Sequence, residues 1–419
     1  MDDLNREVLK PDVVIVGGGP AGLTAARQLS PRLDGEVLVL DRESEAGGIP
    51  RHSDHTGYGI RDLHRMMTGP KYARKLRQMA ADAGARIETN ATVTGWAGAN
   101  SVEVTSPSGL KIIEARAIVL ATGARERPRP ARRIPGGRPP NVFTTGQLQN
   151  YVHLNGGKLS GRAVVVGAEL VSWSSVMTLR HAGAKTVMMT SAYPSPESYA
   201  AFNIPGKALL GVEARTRTRV TKVIGHRELQ GVEIENLATG AREVVPCDVL
   251  VFTGDWIPDN ELARTIGLDI DPDSLAPITD TRLVTSRAGI FAAGNLLHPV
   301  DTADIAALDG SHVAASVLSF LSNAEALRPR SVRIRASEPF RWIAPGILRE
   351  GDGAPARDRF LLWTDELVRF PRIRVMQDGA AIGSGRVPWP ASPGRVFRLP
   401  ASLLSRVDFG GGDVFVRLA

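Results

Sequence analysis

The chain almost lacks cysteine: Cys247 is the only one in 419 residues. A single thiol excludes an internal disulfide, a Cys-x-x-Cys redox pair and an iron–sulfur cluster ligated by this chain alone. Long apolar runs are missing too, and none approaches the ~18 residues of a membrane span. The amino terminus, Met1-Asp2-Asp3-Leu4-Asn5-Arg6-Glu7, has no apolar stretch and does not read as a secretion signal. These absences together predict a cytoplasmic protein. Lysine is absent from residues 328–419, where 16 arginines face 9 acids, a difference of +7. That difference equals the net charge of the whole chain, so the first 327 residues are balanced. A basic surface of this kind suits an acidic partner protein or stays a solvated arginine face; no recognition motif accompanies it, so nucleic acid is not expected. His52-x-x-His55 has no third ligand at metal-site spacing, and no metal is expected.

Against these absences stands one well-formed motif. Val13-Val14-Ile15-Val16 is a short apolar, β-branched run of the kind that forms a buried parallel strand. Gly17-Gly18-Gly19-Pro20-Ala21-Gly22 follows directly, and Leu23–Leu29 continues with helical character. Gly-x-Gly-x-x-Gly between a strand and a helix is a dinucleotide fingerprint: Gly17 permits the turn, Gly19 admits a pyrophosphate, and Gly22 lets helix and strand pack closely. The helix start offers free N–H groups and a positive dipole end to phosphate. A second strand, Val37–Leu40, ends at Asp41, where an acid is expected on a ribose hydroxyl.

The length exceeds one compact core, so two or three domains are expected. After Gly47-Gly48 comes an excursion containing Arg51, His52, Ser53, His55, Tyr58 and Arg61. Asp62 or Thr68 is placed to cap the helices that follow, the second over Pro70–Ala83. Arg86–Trp96 and Val102–Thr105 alternate as antiparallel strands, with a turn at Gly109 before Lys111–Glu114. Ala117–Leu120 is a buried strand ending at Ala121-Thr122-Gly123. Pro128–Pro140 reads as a linker. Arg162–Gly167 then repeats the opening pattern, with a helix over Val171–Ala182 and a strand over Thr186–Met189. Alternating strands run from Val212 to Glu235 and through Val244–Phe252, and Ile290–Asn295 brings back strand and glycine before a helix from Thr302 to Leu321. Beyond Arg328 short strand-like runs predict a small β-rich domain, with Trp342, Trp363 and Trp389 as its core.

The ordered set of fingerprint, Ala121-Thr122-Gly123 and Ala292-Ala293-Gly294-Asn295 resembles the two-dinucleotide-domain flavoproteins, the pyridine nucleotide–disulfide oxidoreductase superfamily, over about residues 10–325. The resemblance implies an α/β fold: two Rossmann-like three-layer ββα dinucleotide-binding domains, the FAD domain split by an inserted NAD-like domain, plus the C-terminal β-rich domain. The boundaries are 1–127 and 255–327 for the FAD domain, 128–254 for the insert and 328–419 for the last. It implies FAD held by Gly17, Gly19, Pro20, Ala21, Asp41 and Arg42 on the ADP half, with Val93 near adenine and Ala121, Thr122 and Gly123 at the pyrophosphate. Gly48, Arg51, Gly294, Asn295 and Thr302 complete the set. Asn295 stands where the family usually has Asp; an amide still bonds a ribityl hydroxyl but carries no charge. Thr302 or Asp301 would open a helix whose positive end faces the flavin.

Two departures shape the expected chemistry. The excursion has no cysteine, which excludes thiol–disulfide exchange through it. The repeated fingerprint reads Gly167-Ala168-Glu169-Leu170-Val171-Ser172, with Glu169 where glycine should admit a pyrophosphate. The strand after it ends Met189-Thr190-Ser191, with neither an acid for a ribose nor an arginine for a 2′-phosphate. The expectation is an oxidoreductase reduced by substrate rather than by NAD(P)H. That pattern resembles flavoprotein subunits of multi-component enzymes: opine oxidase, hydrogen cyanide synthase, amino-acid dehydrogenases and those accompanying anaerobic glycerol-3-phosphate dehydrogenase. The resemblance implies a small-molecule substrate (an amine, amino acid or hydroxy acid) and a hetero-oligomer with a second catalytic or electron-accepting subunit, docked through the basic C-terminal domain. His52, His55 and Arg61 are the candidate catalytic residues, since an imidazole can take a substrate proton and a guanidinium can hold a carboxylate. An NAD(P)H-dependent flavin reductase and a non-catalytic scaffold or electron-transfer subunit remain the alternatives.

Overall fold

A computed structural model describes residues 6–322 and 330–419. The boundary placed between 327 and 328 lies outside the described residues, as do Met1–Asn5. The first sheet is five parallel strands in the order Ile290–Ala292, Ala117–Leu120, Val13–Val16, Val37–Leu40, Arg86–Glu88. Its three central strands are four-residue apolar runs buried throughout, as strands covered on both faces must be. Helices Pro20–Leu29 and Ala303–Ser322 pack on each other through Gly310, where a Cβ would overlap the Ala21 carbonyl oxygen. Ala303–Ser322 is the one described helix long and apolar enough to cross a membrane, with half of its apolar window buried inside the protein. A meander of Thr92–Gly98, Ser101–Ser106 and Gly109–Glu114 covers the sheet, with Glu7–Leu9 added at its edge.

The segment expected as one strand, Arg86–Trp96, is two. Arg86–Glu88 extends the parallel sheet, Asn90 turns the chain with φ +52°, and Thr92–Gly98 begins the meander. The second fingerprint heads a sheet of the same kind, ordered Val142–Thr144, Val249–Phe252, Arg162–Val166, Lys185–Thr190, Ala214–Arg215, with an antiparallel meander Thr218–Gly225, Leu229–Asn236, Arg242–Pro246. The chain passes between the two sheets through the antiparallel pair Ala124–Glu126 and Trp256–Pro258. The Pro-rich stretch 128–140 is anchored rather than loose. Arg129 donates to the carbonyls of Ile134 and Gly137, and Arg132 to those of Thr253 and Gly254.

The helix Ala200–Leu210 is unannounced by periodicity: it contains Pro205, and none of its residues is buried. The C-terminal domain pairs a five-stranded sheet, ordered Ile347–Arg349, Ser331–Ala336, Val414–Leu418, Arg372–Gln377, Ala380–Arg386, with a three-stranded one of Phe340–Ala344, Arg359–Thr364 and Phe397–Pro400. Its core is aliphatic and phenylalanine-based, including Val332, Ile334, Phe360, Leu362, Ile373, Val375, Phe397 and Val414. The tryptophans do not form that core, contrary to expectation. Trp342 and Trp363 stack at 6.4 Å in a separate cluster with Val300, and Trp389 is only half-buried at the edge. A wide indole packs readily at a junction, where one face can be covered by a neighbouring unit.

Candidate functional site

The first fingerprint builds a cradle. Gly17 has φ +109°, and a Cβ there would overlap the Ala121 carbonyl oxygen, so the turn admits only glycine. At Gly19 the nearest atom to a Cβ is Gly48 Cα at 4.0 Å, so space lies open above the helix start. Gly19 is the N-cap of Pro20–Leu29, with Pro20 in the first turn where its missing N–H costs nothing. Gly18 N–H donates to Asp41 Oδ2 (3.1 Å) and Glu43 N–H to Oδ1 (2.9 Å), which fixes the buried carboxylate at the tip of its strand. Burial outweighs these bonds and raises the Asp41 pKa.

Gly48 and Gly294, two of the other expected cofactor residues, approach this cradle. A Cβ at Gly48 would come within 3.0 Å of Gly19 Cα, and one at Gly294 within 2.8 Å of Ala21 Cβ. Gly123 faces open space, with nothing within 4 Å of a Cβ position. Thr122 Oγ1 donates to the Asp259 carbonyl (2.7 Å), and Asp259 N–H donates to the Gly123 carbonyl (2.9 Å), which binds the two crossings together. Arg42 reaches Asp259 (3.4 Å), and half-buried Val93 packs against the main core. Asn295 donates through Nδ2 to the Asp301 carbonyl (3.0 Å), while its Oδ1 is buried without a partner among the described residues. An acceptor left free at the ribityl position fits a hydroxyl-bearing cofactor, as the open space at Gly19 and Gly123 fits its pyrophosphate.

Thr302 precedes the helix Ala303–Ser322, as expected, and Asp304, a carboxylate that sequence reading missed, joins Asp301 at that helix start. Asp304 is buried, accepts from Thr302 Oγ1, and is held by Arg61 through its backbone N–H (3.2 Å) and Nη1 (3.1 Å). Asp301 accepts from Arg398 of the C-terminal domain (2.8 Å). Arg61, expected as a catalytic residue, is therefore placed as the counter-charge of Asp304. Arg51 likewise turns away from the excursion, donating to the Glu45 carbonyl (2.9 Å) and to Glu43 Oε2 (3.0 Å).

The excursion itself lies against the inserted domain. Buried Ser53 bonds His55 Nε2 (3.0 Å) and accepts from Gln149 Nε2 (3.2 Å), and Gln149 also donates to Ser174 Oγ (2.7 Å). His55 Nδ1 is engaged by the Thr56 carbonyl (2.8 Å). Burial lowers the pKa of both histidines, that of His52 to about 4. Both therefore stay neutral at physiological pH. Burial also pushes the nearby Tyr58 phenol up to about 12. Asp62 caps no helix; it accepts from the Tyr72 hydroxyl (2.6 Å), and Thr68 is the N-cap residue of Gly69–Asp82. Gln149 and Ser174 carry no sequence signal for this role.

The second fingerprint is filled. Glu169 turns inward, accepts from Thr253 Oγ1 (3.2 Å) and Ser172 Oγ (3.4 Å), and closes over Gly254. Burial raises its pKa, against the pull of Arg132. Ser198 N–H donates to the Ala168 carbonyl (2.9 Å), which draws Glu197 and Ser198 across the turn. Gly394 of the C-terminal domain lies on both acids: a Cβ there would be 2.5 Å from Glu197 Cβ and 3.0 Å from Glu169 Cγ. Beside it Arg395 stacks on Tyr199 at 4.2 Å. Burial and the neighbouring Glu169 push Glu197 up to about 8.

Residues 11–310 match the pyridine nucleotide-disulphide oxidoreductase family. The chain is 26% identical to an opine oxidase subunit of Agrobacterium tumefaciens (strain Ach5), over 75% of this chain and 65% of that one. It is 27% identical to the HcnB subunit of hydrogen cyanide synthase of Pseudomonas aeruginosa, over 60% and 54%. It is 26% identical to thioredoxin reductase of Treponema pallidum, over 74% and 98%. The chain thus spans under two thirds of both subunit-named relatives. Among solved structures, Lactococcus lactis thioredoxin reductase superposes with a TM-score of 0.63 at 20% identity, over 75% of this chain and 99% of that one.

Proposed function

The chain belongs to the pyridine nucleotide-disulphide oxidoreductase family and is an FAD-dependent oxidoreductase, and we propose that it is the flavoprotein subunit of a multi-subunit dehydrogenase or oxidase acting on an amine, amino acid or hydroxy acid. The filled second fingerprint carries this reading. A dinucleotide pyrophosphate needs backbone N–H groups and empty space at that turn. Here two buried carboxylates, Ser198 and the Gly394 loop occupy it. With no nicotinamide to deliver hydride, electrons must come from substrate.

Bound FAD would supply the two-electron acceptor. The chain's own residues would do the rest. The cradle at Gly17–Gly22, Asp41 and Asn295 binds and orients, and the excursion from Arg51 to Arg61 receives the proton that the oxidised N–H or O–H gives up. The names of the relatives support a partner subunit, which would take the electrons onward. The lone buried Cys247 supports a cytoplasmic setting, where thiols stay reduced. The test is anaerobic flavin bleaching in the FAD-loaded chain, alone and co-expressed with the products of neighbouring reading frames. Bleaching by an amine, amino acid or hydroxy acid, with NADH and NADPH inert, is the expected result. Bleaching by NADPH within the turnover time would overturn the reading.

A further inference from the structure

We propose that the outer face of the five-stranded C-terminal sheet, where Arg374 lies against Arg417 and Arg372 against Arg386, is a docking surface for an acidic face of the partner subunit. The inference rests on the multi-subunit reading above and adds the surface and the chemistry that meets it.

The inner face of this sheet packs into the domain core, with Ile373 opposite Leu418 and Val375 opposite Val416. Side chains alternate along a strand, so the residues between these point away from the core. They are Arg372, Arg374 and Met376 on Arg372–Gln377, and Phe415 and Arg417 on Val414–Leu418. On the edge strand Ala380–Arg386, Gly383 and Gly385 turn inward against Leu403, which leaves Ser384 and Arg386 outward. The register then brings the arginines together in directly opposed pairs. Arg372, Arg386 and Arg417 are exposed and Arg374 is half-buried. Arg330, Arg335 and Arg341 of the same domain have acidic partners, whereas none of these arginines is ion-paired among the described residues.

Like charges directly opposite each other destabilise a sheet. Two such pairs on one face therefore ask for a use. Protection of a free sheet edge accounts for Arg386 alone, because Arg372, Arg374 and Arg417 stand on interior strands. Solubility would be served as well by lysine, yet residues 328–419 hold 16 arginines and no lysine. The planar guanidinium fork matches the two oxygens of a carboxylate, and an ammonium does not. The domain already docks by this chemistry on another side, where Arg349, Arg357 and Arg398 hold acids of the flavin domain.

The neighbouring row of the same face is apolar: Met376 lies opposite Phe415, which is 41% exposed. Arginine, methionine and aromatic side chains are the ones enriched at protein interfaces. A nucleic-acid backbone is met by cations strung along its track. Here they form a compact block beside an apolar row, which suits carboxylates grouped around an apolar spot on a protein.

The test is co-expression of the full chain with the products of neighbouring reading frames, followed by Kd measurement on the purified pair. Arg386→Glu combined with Arg417→Glu turns both opposed pairs into attractive ones. This variant should keep its flavin absorbance and melt no lower than the parent, but bind the partner about 100-fold more weakly. Arg386→Lys combined with Arg417→Lys keeps the charge without the fork and should weaken binding about tenfold; it carries the test if the glutamate variant fails to fold. Added salt should weaken the parent complex, mainly through a slower association rate. An unchanged Kd in the folded glutamate variant would overturn the docking surface and spare the multi-subunit reading. A parent chain that forms no complex would sink that reading and the surface with it. Duplex DNA and phosphatidylserine vesicles serve as phosphate probes at about 0.15 M salt. If either is held more tightly than the partner and is released by the same substitutions, the face belongs to phosphate and the proposal fails.

Discussion

Gly17 and Gly19 sit two positions apart and answer to different constraints. Gly17 turns the backbone at φ +109° against the Ala121 carbonyl, whereas a Cβ at Gly19 would have its nearest neighbour at 4.0 Å. Gly17→Ala should therefore destabilise the protein itself, by about 1–3 kcal/mol, and lose FAD as a consequence. Gly19→Ala should leave apoprotein stability within about 0.5 kcal/mol but weaken FAD retention about tenfold, as a methyl group enters the pyrophosphate space. Calorimetry of the apoproteins and flavin release on dilution separate the two; equal loss of stability in both variants would refute the distinction. These glycines are legible because turn, phosphate and packing constraints fall within six consecutive residues. Arg61 is not legible in the same way. It is recognisable as a cation near the flavin turn, but its partner Asp304 lies 243 residues away, and no local pattern shows that the charge is already spent. Gln149 is harder still, since an amide becomes informative only when both of its hydrogens can be traced to acceptors.

At the scale of elements, the second fingerprint shows how far a motif can be read. Glu169 in a glycine slot is visible in the sequence. The loop bearing Glu197 and Ser198, and the Gly394 turn from another domain, are not. One glycine should therefore fail to restore the site. Glu169→Gly is expected to leave the flavin unreduced by NADH or NADPH under anaerobic conditions; rapid bleaching would show that Glu169 alone closed the turn. The buried acids also set a pH dependence. The Glu197 carboxyl rests at about 8 in the folded chain against 4.5 as a free side chain. The folded state then binds the extra proton, so stability falls as pH rises from about 4.5 to 8. Glu197→Gln should raise stability at pH 8 by on the order of 2 kcal/mol and leave it unchanged near pH 4.5, read as melting temperature in both buffers. A gain at the lower pH would contradict the assignment. The helix Ala200–Leu210 marks the opposite limit of sequence reading. With Pro205 inside it, and Ile204 and Leu209 over 70% exposed, it has no apolar stripe facing a core for periodicity to find.

For the whole molecule, the arginine excess of the C-terminal domain acquires an internal use. Arg349 donates to Asp280 (2.7 Å), Arg398 to Asp301 and Arg357 to Asp309, so three arginines of the last domain meet three buried acids of the flavin domain. The composition makes the excess plain but not its destination, because the acids that receive it are scattered through a segment whose own charge is balanced. The Asp309 pairing ties this docking to the flavin helix. Burial alone would raise its pKa, yet His298 and Arg357 overcome burial and hold it at about 2. A folded pKa below the free value of 3.8 gives stability that is present above about pH 4 and is lost as pH falls toward 2. Arg357→Ala leaves the carboxylate buried with one counter-group instead of two and should cost about 3 kcal/mol at pH 7. Adding Asp309→Asn to that variant should recover part of the loss, because the stranded charge is gone. Hydrogen exchange should show the loosening on both sides of the junction, in the helix Ala303–Ser322 and in the strand Arg359–Thr364. If the alanine variant loosens the C-terminal domain alone, the arginine serves only its own fold. If both sides loosen together, the last domain is part of the scaffold that sets the helix start at the proposed cofactor site. Arg349, Arg357 and Arg398 are then committed inward, and the partner subunit proposed above would have to meet other parts of the surface.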